Sequence, residues 1–352
     1  MNNLIIPMAG QSSRYPGLPP KWILTHPFTN NYMVLESIKG LELNFFDHIY
    51  FVCLLEHEIA YEFSSGFKSE LAKMGILNVS TIILLSEKTK SQAETVYLAI
   101  KNYSINGFIF IKDSDGYFEL KDLLPINQVI FQDLNSLKTL DASSKSYITF
   151  DNKSFITNIV EKNILSPFFC VGGYGFESSN QFTEAYERIS DYPNEIYISH
   201  IVYELLLLNT QFKSVESKNF LDWGTSEYWN DFKLSFKTYF VDIDGVIISN
   251  TSTHFKPYRG TGTALKSNIE ALNKIYGAKK GYIVLTTSRL ESERANTIHE
   301  LTIAGVQYHQ LVMNLPSCSR TLINDFSSSS PFPSASSVNI LEDSDDLNLY
   351  LQ

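Results

Sequence analysis

The sequence predicts an α/β protein of two domains, a larger one built on a mainly parallel sheet with helices on both faces and a smaller one of the same class. Three observations predict this. Short apolar runs alternate with stretches of helical periodicity from the beginning of the chain. The first such run breaks into a loop of small residues followed by cations. Two later runs end in Asp-x-Asp-Gly, at Asp113–Gly116 and at Asp242–Gly245. A length of 352 residues accommodates two domains.

Leu4-Ile5-Ile6 reads as a buried strand that exits into Ala9, Gly10, Gln11, Ser12 and Ser13. Small side chains let backbone N–H groups approach a polyanion. Arg14 and Lys21 then add full charges of the kind a triphosphate needs. Gly10 alone would fit an ordinary strand exit equally well. Ile49–Leu54 and Ser80–Leu85 read as further buried strands, and Met33–Leu43, Tyr61–Met74 and Gln92–Tyr103 as helices. Such alternation places ligands beyond the strand C-termini. The strand Phe108–Ile111 delivers Asp113 and Asp115 to that edge, where carboxylate oxygens suit Mg²⁺ clamped against phosphates, although Asp-Ser-Asp-Gly is also a good turn. After Trp229 a new strand runs from Lys237 to Asp242. A helix is expected over Leu265–Tyr276, a strand ending in hydroxyls from Tyr282, a Ser/Pro-rich surface loop over Phe326–Ser337, and an acidic solvated face or last helix at Glu342–Asp346.

Composition narrows the partners. A net charge of −10, with 44% hydrophobic and 19% charged residues, describes a soluble globular chain and argues against nucleic acid or an anionic membrane as main partner. Phosphates would have to be met by a few local cations and a metal. Cys53, Cys170 and Cys318 match no metal spacing and are expected as free thiols. No charged-then-apolar leader is seen and no apolar run approaches about 18 residues, so a cytoplasmic location is expected.

Ala9-Gly10-Gln11-Ser12-Ser13-Arg14-Tyr15 with Pro20-Lys21 resembles the signature of the sugar-phosphate nucleotidyltransferases, Ala-Gly-x-Gly-[Ser/Thr]-Arg-[Phe/Leu] followed by Pro-Lys. Ser12 stands where the second glycine is usual, as in a subset linked to capsule and surface-polysaccharide synthesis. Ile159-Val160-Glu161-Lys162 resembles the family's Val-Glu-Lys, Val171–Phe176 its glycine-rich strand along the sugar, and Phe220–Glu227 its Trp-Leu-Asp-Thr-Gly-Thr-Pro-Glu. The resemblance covers residues 1–232 and implies a Rossmann-like, GT-A-type domain. There the phosphate oxygen of a sugar or polyol phosphate attacks the α-phosphorus of a nucleoside triphosphate and expels pyrophosphate. It implies a nucleotide site of Ala9, Gly10, Ser12, Ser13, Arg14, Lys21 and Gln92, the last contacting the base unless its neighbours simply cap the helix. It implies a sugar-phosphate site of Glu161, Lys162 and Gly173, and Mg²⁺ on Asp113 (with Asp115 the second choice) and Asp222. A pyrimidine nucleotide is expected, with CTP favoured, and the oligomeric state is left open.

Residues 235–352 resemble the haloacid dehalogenase superfamily. The resemblance implies a Rossmannoid fold with minimal cap, Asp242 as nucleophile toward phosphorus and metal ligand, and Asp244 as general acid/base and further metal ligand. Thr287 would bind the phosphoryl oxygen, with Thr286 close behind, and Asp325, following a strand, would bind the metal. No lysine lies between Thr287 and Asp325 where the superfamily has one, and Arg320 is the expected substitute. The implied protein is a bifunctional enzyme of surface-polysaccharide precursor synthesis. Three alternatives stay open: a nucleotidyltransferase with an inert second module or with UTP or dTTP as donor, a binding protein with both sites degenerate, and a glycosyltransferase, against which Lys21 argues.

Overall fold

The computed structural model describes residues 1–10, 12–136, 141–250, 262–325 and 335–351. Gln11, residues 326–334 of the expected surface loop, and residues 251–261, in the interval expected to hold a minimal cap, lie outside the described residues. The chain divides into two compact units, Met1–Lys233 and Leu234–Gln352.

In the first unit β1 (Asn2–Pro7), β2 (His48–Leu54), β3 (Ser80–Leu85) and β4 (Phe108–Lys112) are parallel in the order β4-β1-β2-β3. Alternate residues of each strand enter opposite cores. Leu4, Ile6, Phe51 and Phe110 pack on one face, Ile5, Val52 and Ile109 on the other. Both faces are buried, which is why these strands read as unbroken apolar runs rather than alternating ones. The other half of the sheet is mixed rather than parallel. β5 (Gly116–Glu119) is followed by β6 (Gln128–Asp133), β7 (Ser146–Phe150), β8 (Ile156–Glu161) and β9 (Phe168–Phe176). Strand β9 runs antiparallel between β4 and β6 and carries the β7–β8 hairpin on its flank. β10 (Lys213–Glu216) lies along β6, while β11 (Lys218–Asp222) pairs with β5 in a separate two-stranded sheet.

The helices around this sheet are α1 (Met33–Ser37), α2 (Leu55–Tyr61), α3 (Ser64–Lys73), α4 (Gln92–Tyr103), α5 (Ser179–Ile189), α6 (Ile198–Leu207) and α7 (Ser226–Leu234). Helix α4 has the expected limits. The single helix expected over Met33–Leu43 stops at Ser37, because the Gly40 backbone packs on β5: its carbonyl accepts from Leu120 N–H at 2.9 Å, and a Cβ there would stand 2.0 Å from the Phe118 carbonyl oxygen. The helix expected over Tyr61–Met74 is two helices, broken at Glu62, whose φ of +46° ends α2.

The second unit holds a parallel sheet of β12 (Lys237–Asp242), β13 (Gly281–Thr286) and β14 (Gln310–Val312), with α8 (Lys266–Gly277) and α9 (Arg294–Ala304). Its core gathers Ile243, Ile247, Leu272, Ile283 and Leu285. The acidic tail caps a helix: the Asp345 carboxylate accepts from Ser267 and Asn268 N–H at the start of α8. The strand expected before Asp325 is absent among the described residues, since Met313–Asp325 form neither helix nor strand. Among the described residues no helix is long and apolar enough to cross a membrane.

Candidate active site

The C-terminal ends of β1, β4, β8 and β11 open on one cleft of about 800 Å³ in the first unit. The loop leaving β1 is pinned at both ends. Met8 N–H donates to the Val52 carbonyl, Tyr15 N–H to the Ser12 carbonyl at 2.7 Å, and the buried Tyr15 hydroxyl to the Trp223 carbonyl. Burial, helped by the charges of Asp115 and Asp222, pushes that phenol far up in pKa, so it stays a donor. Ser12, the departure from the expected glycine, sits at φ +49°, the left-handed region, and its hydroxyl accepts from Lys21 N–H at 3.0 Å. A Cβ on Gly10 would meet nothing within 4 Å, so that glycine is not required by packing and leaves space on the cleft side.

The acidic turn after β4 rests on a buried cation. Lys112 is fully buried at the end of an otherwise apolar strand, and its ammonium donates to the Asp113 carbonyl at 2.7 Å and the Gly116 carbonyl at 2.5 Å. Burial, partly opposed by Asp113 and Asp115, lowers its pKa to about 8. The Asp113 carboxylate accepts from the Gln92 amide, and its N–H donates to the Gly172 carbonyl at 2.8 Å. Burial and the neighbouring Asp115 raise its pKa. Burial would also raise Asp115, but its ion pair with Lys21, backed by Arg14 and Lys145, holds it well below the usual carboxylate range. Asp222 pairs with Lys145 at 2.5 Å and accepts from Gly224 N–H at 2.9 Å. A Cβ on Gly224 would stand 3.0 Å from Asp222 Oδ1, 3.4 Å from Asp115 Oδ2 and 3.5 Å from Arg14 Nη1, so these three groups converge on the Gly224 backbone.

On the opposite wall Glu161 accepts from the hydroxyls of Ser146 and Ser199. Lys162, at φ +54°, donates to the Tyr197 hydroxyl and lies 4.2 Å from that ring's centroid, while Tyr197 donates to Glu195 at 2.5 Å. Burial disfavours its charge, but Tyr197, Glu161 and Glu195 outweigh burial and raise its pKa.

Ala9, Gly10, Ser12, Ser13, Arg14, Lys21, Gln92, Asp113, Asp115, Glu161, Lys162 and Asp222 thus all line one cleft. Gly173 does not, which corrects its expected place: a Cβ there would meet Ile130 and Phe118 at 2.8 Å, so it faces the core. Its neighbour Gly172 is the site glycine, with φ +81° and Asp113 Oδ2 only 2.3 Å from its missing Cβ. A neighbour of Gln92 does cap α4, Ser91 accepting from Glu94 N–H at 3.1 Å, while the Gln92 amide goes to Asp113. Reading the sequence also missed Lys112, Lys145, Tyr15, Glu195 and Tyr197. Of these Lys112 left a signal, as a charge directly following an apolar run, and Tyr15 stood within the motif after Arg14. Among the described residues no group of three acidic, His or Cys side chains is gathered as a metal cage. Asp113 and Asp222 are nonetheless hard oxygen donors on the cleft wall, the kind of sparse carboxylate set that suits a Mg²⁺ keeping water and substrate phosphate as its other ligands.

In the second unit the ladder sets Asp242 opposite Thr286 at the ends of β12 and β13. Arg320 Nη1 lies 3.1 Å from Asp242 Oδ2. Burial raises the Asp242 pKa and Arg320 opposes it. The Thr287 hydroxyl donates to Asp244 at 3.0 Å, whereas Thr286 turns to the Val241 carbonyl. Arg289, which sequence reading did not assign, is buried and forks onto Asp244 at 2.7–3.1 Å while its Nη1 reaches Glu300 at 2.6 Å. Asp325 lies in the exposed stretch that follows Arg320.

Searched by sequence, no protein-family model and no curated protein matches the chain. Solved structures do match by fold. A nucleoside-diphosphate-sugar pyrophosphorylase from Vibrio cholerae RC9 superposes with a TM-score of 0.55 at 20% identity, over 66% of this chain and 99% of that one. A putative glucose-1-phosphate thymidylyltransferase from Bacillus anthracis gives 0.53 at 19% identity, covering 66% and 94%. The inositol-1-phosphate CTP transferase from T. maritima gives 0.50 at 12% identity, again covering 66% and 94%. At these identities the likeness is one of fold: about two thirds of the chain has the mixed α/β architecture of sugar-phosphate nucleotidyltransferases.

Proposed function

We propose that the first unit is a nucleotidyltransferase that couples a nucleoside triphosphate to a sugar or polyol phosphate with release of pyrophosphate. The observation that carries the reading is the convergence of Arg14, Lys21, Asp113, Asp115, Asp222 and Lys162 on one cleft at the strand ends. Arg14 and Lys21 bind and orient the triphosphate. Lys162 holds the acceptor phosphate, with Glu161, fixed by its two serines, bordering the same wall. An acceptor phosphate oxygen attacks the α-phosphorus in line as pyrophosphate leaves, so the work of the protein is alignment and charge neutralisation. Mg²⁺ on Asp113 and Asp222, with Asp115 as second choice to Asp113, would supply further neutralisation of the phosphates. Of the fold neighbours described above, one is named a CTP transferase and one a putative thymidylyltransferase, which supports a pyrimidine donor, while the Vibrio cholerae protein's name specifies no base. CTP is the favoured one.

For the second unit the reading is a haloacid dehalogenase-like phosphatase, with Asp242 as nucleophile, Asp244 as acid/base, Thr287 on the phosphoryl group, Arg320 in place of the usual lysine and Asp325 on the metal. The fork of Arg289 on Asp244 favours a second reading, an inert module, because both oxygens of that carboxylate are already engaged by a buried guanidinium. The setting proposed is surface-polysaccharide precursor synthesis in the cytoplasm.

The test is pyrophosphate release with Mg²⁺ from each common nucleoside triphosphate against a panel of sugar and polyol phosphates, run beside Asp113→Asn and Asp242→Asn. Turnover with one pair is expected, falling about 10²-fold or more in Asp113→Asn and unchanged in Asp242→Asn. Phosphate release lost only in Asp242→Asn would support the phosphatase. No turnover anywhere in the panel would end the transferase reading.

A further inference from the structure

Lys145, among the cations that line the cleft, has been given carboxylate partners above but no contact to substrate. Lys145 follows a single 3-10 turn, Ala142–Ser144, that Asp141 caps, and immediately precedes β7. Its carbonyl accepts from Lys162 N–H at 3.0 Å, one step along the hairpin from the Ser146–Glu161 pair. The two lysines are therefore neighbours across the β7–β8 ladder. Their side chains part: Lys162 goes to Tyr197, and Lys145 goes to Asp222 at 2.5 Å, passing 5.8 Å from the centroid of Phe220. Both line the cleft. The Lys145 and Asp222 side chains keep only 15% and 13% of their surface exposed, so this is a largely desolvated pair rather than a solvated surface one.

We infer that Lys145 is a second phosphate-binding residue of the acceptor subsite, bracketing the acceptor's phosphate together with Lys162. The inference rests on the nucleotidyltransferase reading of the cleft. The donor's triphosphate already has cations from the loop after β1, Arg14 and Lys21. Lys145 belongs instead to the hairpin that carries Glu161 and Lys162. A lysine ammonium is a compact charge with three donors, able to keep part of its contact to Asp222 while turning another N–H to phosphate. A phosphate monoester is largely dianionic near neutral pH, its second pKa being about 6, and two ammonium groups match that charge. The subsite accordingly selects phosphate monoesters over singly charged acceptors.

The experiment is initial-rate pyrophosphate release by the full chain with CTP and glycerol 3-phosphate, or whichever acceptor phosphate the panel turns over faster. It compares the parent protein with Lys145→Met and Lys145→Arg, with CTP affinity measured separately by calorimetry. Lys145→Met is expected to raise the acceptor KM about tenfold, equivalent to about 1.4 kcal/mol, leave CTP affinity within about twofold, and be partly rescued in Lys145→Arg. An unchanged acceptor KM, or equal loss for acceptor and CTP, would reduce Lys145 to a partner of Asp222 and overturn the inference. If the parent protein binds no nucleoside triphosphate, the transferase reading itself fails and takes this one with it. Normal CTP binding with no change at the acceptor removes only the role of Lys145.

Discussion

The two units each end a strand in the same four-residue form, Asp113-Ser114-Asp115-Gly116 after β4 and Asp242-Ile243-Asp244-Gly245 after β12, and surround it with different cations. In the first, the second aspartate is paired with Lys21, 94 residues away, and the first is held by the Gln92 amide. In the second, both aspartates meet guanidinium groups: Arg320 on Asp242, 78 residues away, and Arg289 on Asp244, 45 residues away. A lysine offers a single compact charge that can be shared with an incoming phosphate. A buried arginine fork matches both oxygens of one carboxylate and is tied at its other end to Glu300. The first turn is held by one ammonium and one amide, the second by two guanidinium groups. Two strand endings of the same Asp-x-Asp-Gly form thus acquire different electrostatics from partners that the local motif does not contain.

Removing the fork should break this contrast most severely. Arg289→Met would leave Asp244 and Glu300 without their shared cation in a partly buried place. It should cost the second unit about 3 kcal/mol, read as a lowered unfolding midpoint of that unit alone in chemical denaturation. A smaller, sharper separation is expected within β9. Gly172→Ala would press a methyl group onto Asp113 at a φ of +81° and should reduce pyrophosphate release about 10²-fold. Gly173→Ala would instead crowd Ile130 and Phe118 and cost about 2 kcal/mol of stability, seen by thermal melting. If both variants lost activity and stability alike, the assignment of Gly172 to the site and Gly173 to the core would fall. The smallest effect belongs to Ser12→Gly. Relief of a left-handed backbone, worth about 1 kcal/mol, is set against loss of the Lys21 N–H···Oγ bond of similar size, so stability should move by less than about 1 kcal/mol. The donor KM should rise modestly as the loop loses that tie.

How much of this was legible beforehand depended on range. Strands β1, β2, β3 and β4 and helix α4 were readable because an unbroken apolar run or a helical period is a property of consecutive residues. The mixed half of the sheet was not, since strand direction is set by pairing: β9 lies antiparallel to both β4 and β6, and nothing local announces it. Gly40 ended a helix that periodicity extended, through a backbone contact with β5, and Glu62 split another by adopting a left-handed conformation.

The same division holds at the sites. The residue types that could handle phosphate, Arg14, Lys21, Asp113, Glu161, Lys162 and Asp222, were visible as motifs because each sits at the end of a local element with a recognisable neighbourhood. Their meeting in one cleft, the choice of Gly172 over Gly173, the buried support of Lys112 and the pairings of Lys145 and Arg289 arise from contacts between segments far apart along the chain. Charge–charge energies depend on distance and on solvent exclusion, and both come into being only when the sheet closes and water leaves. A chain can therefore advertise its chemical groups one segment at a time, while which of them are paired, and which are open to exchange with a ligand, is settled by packing.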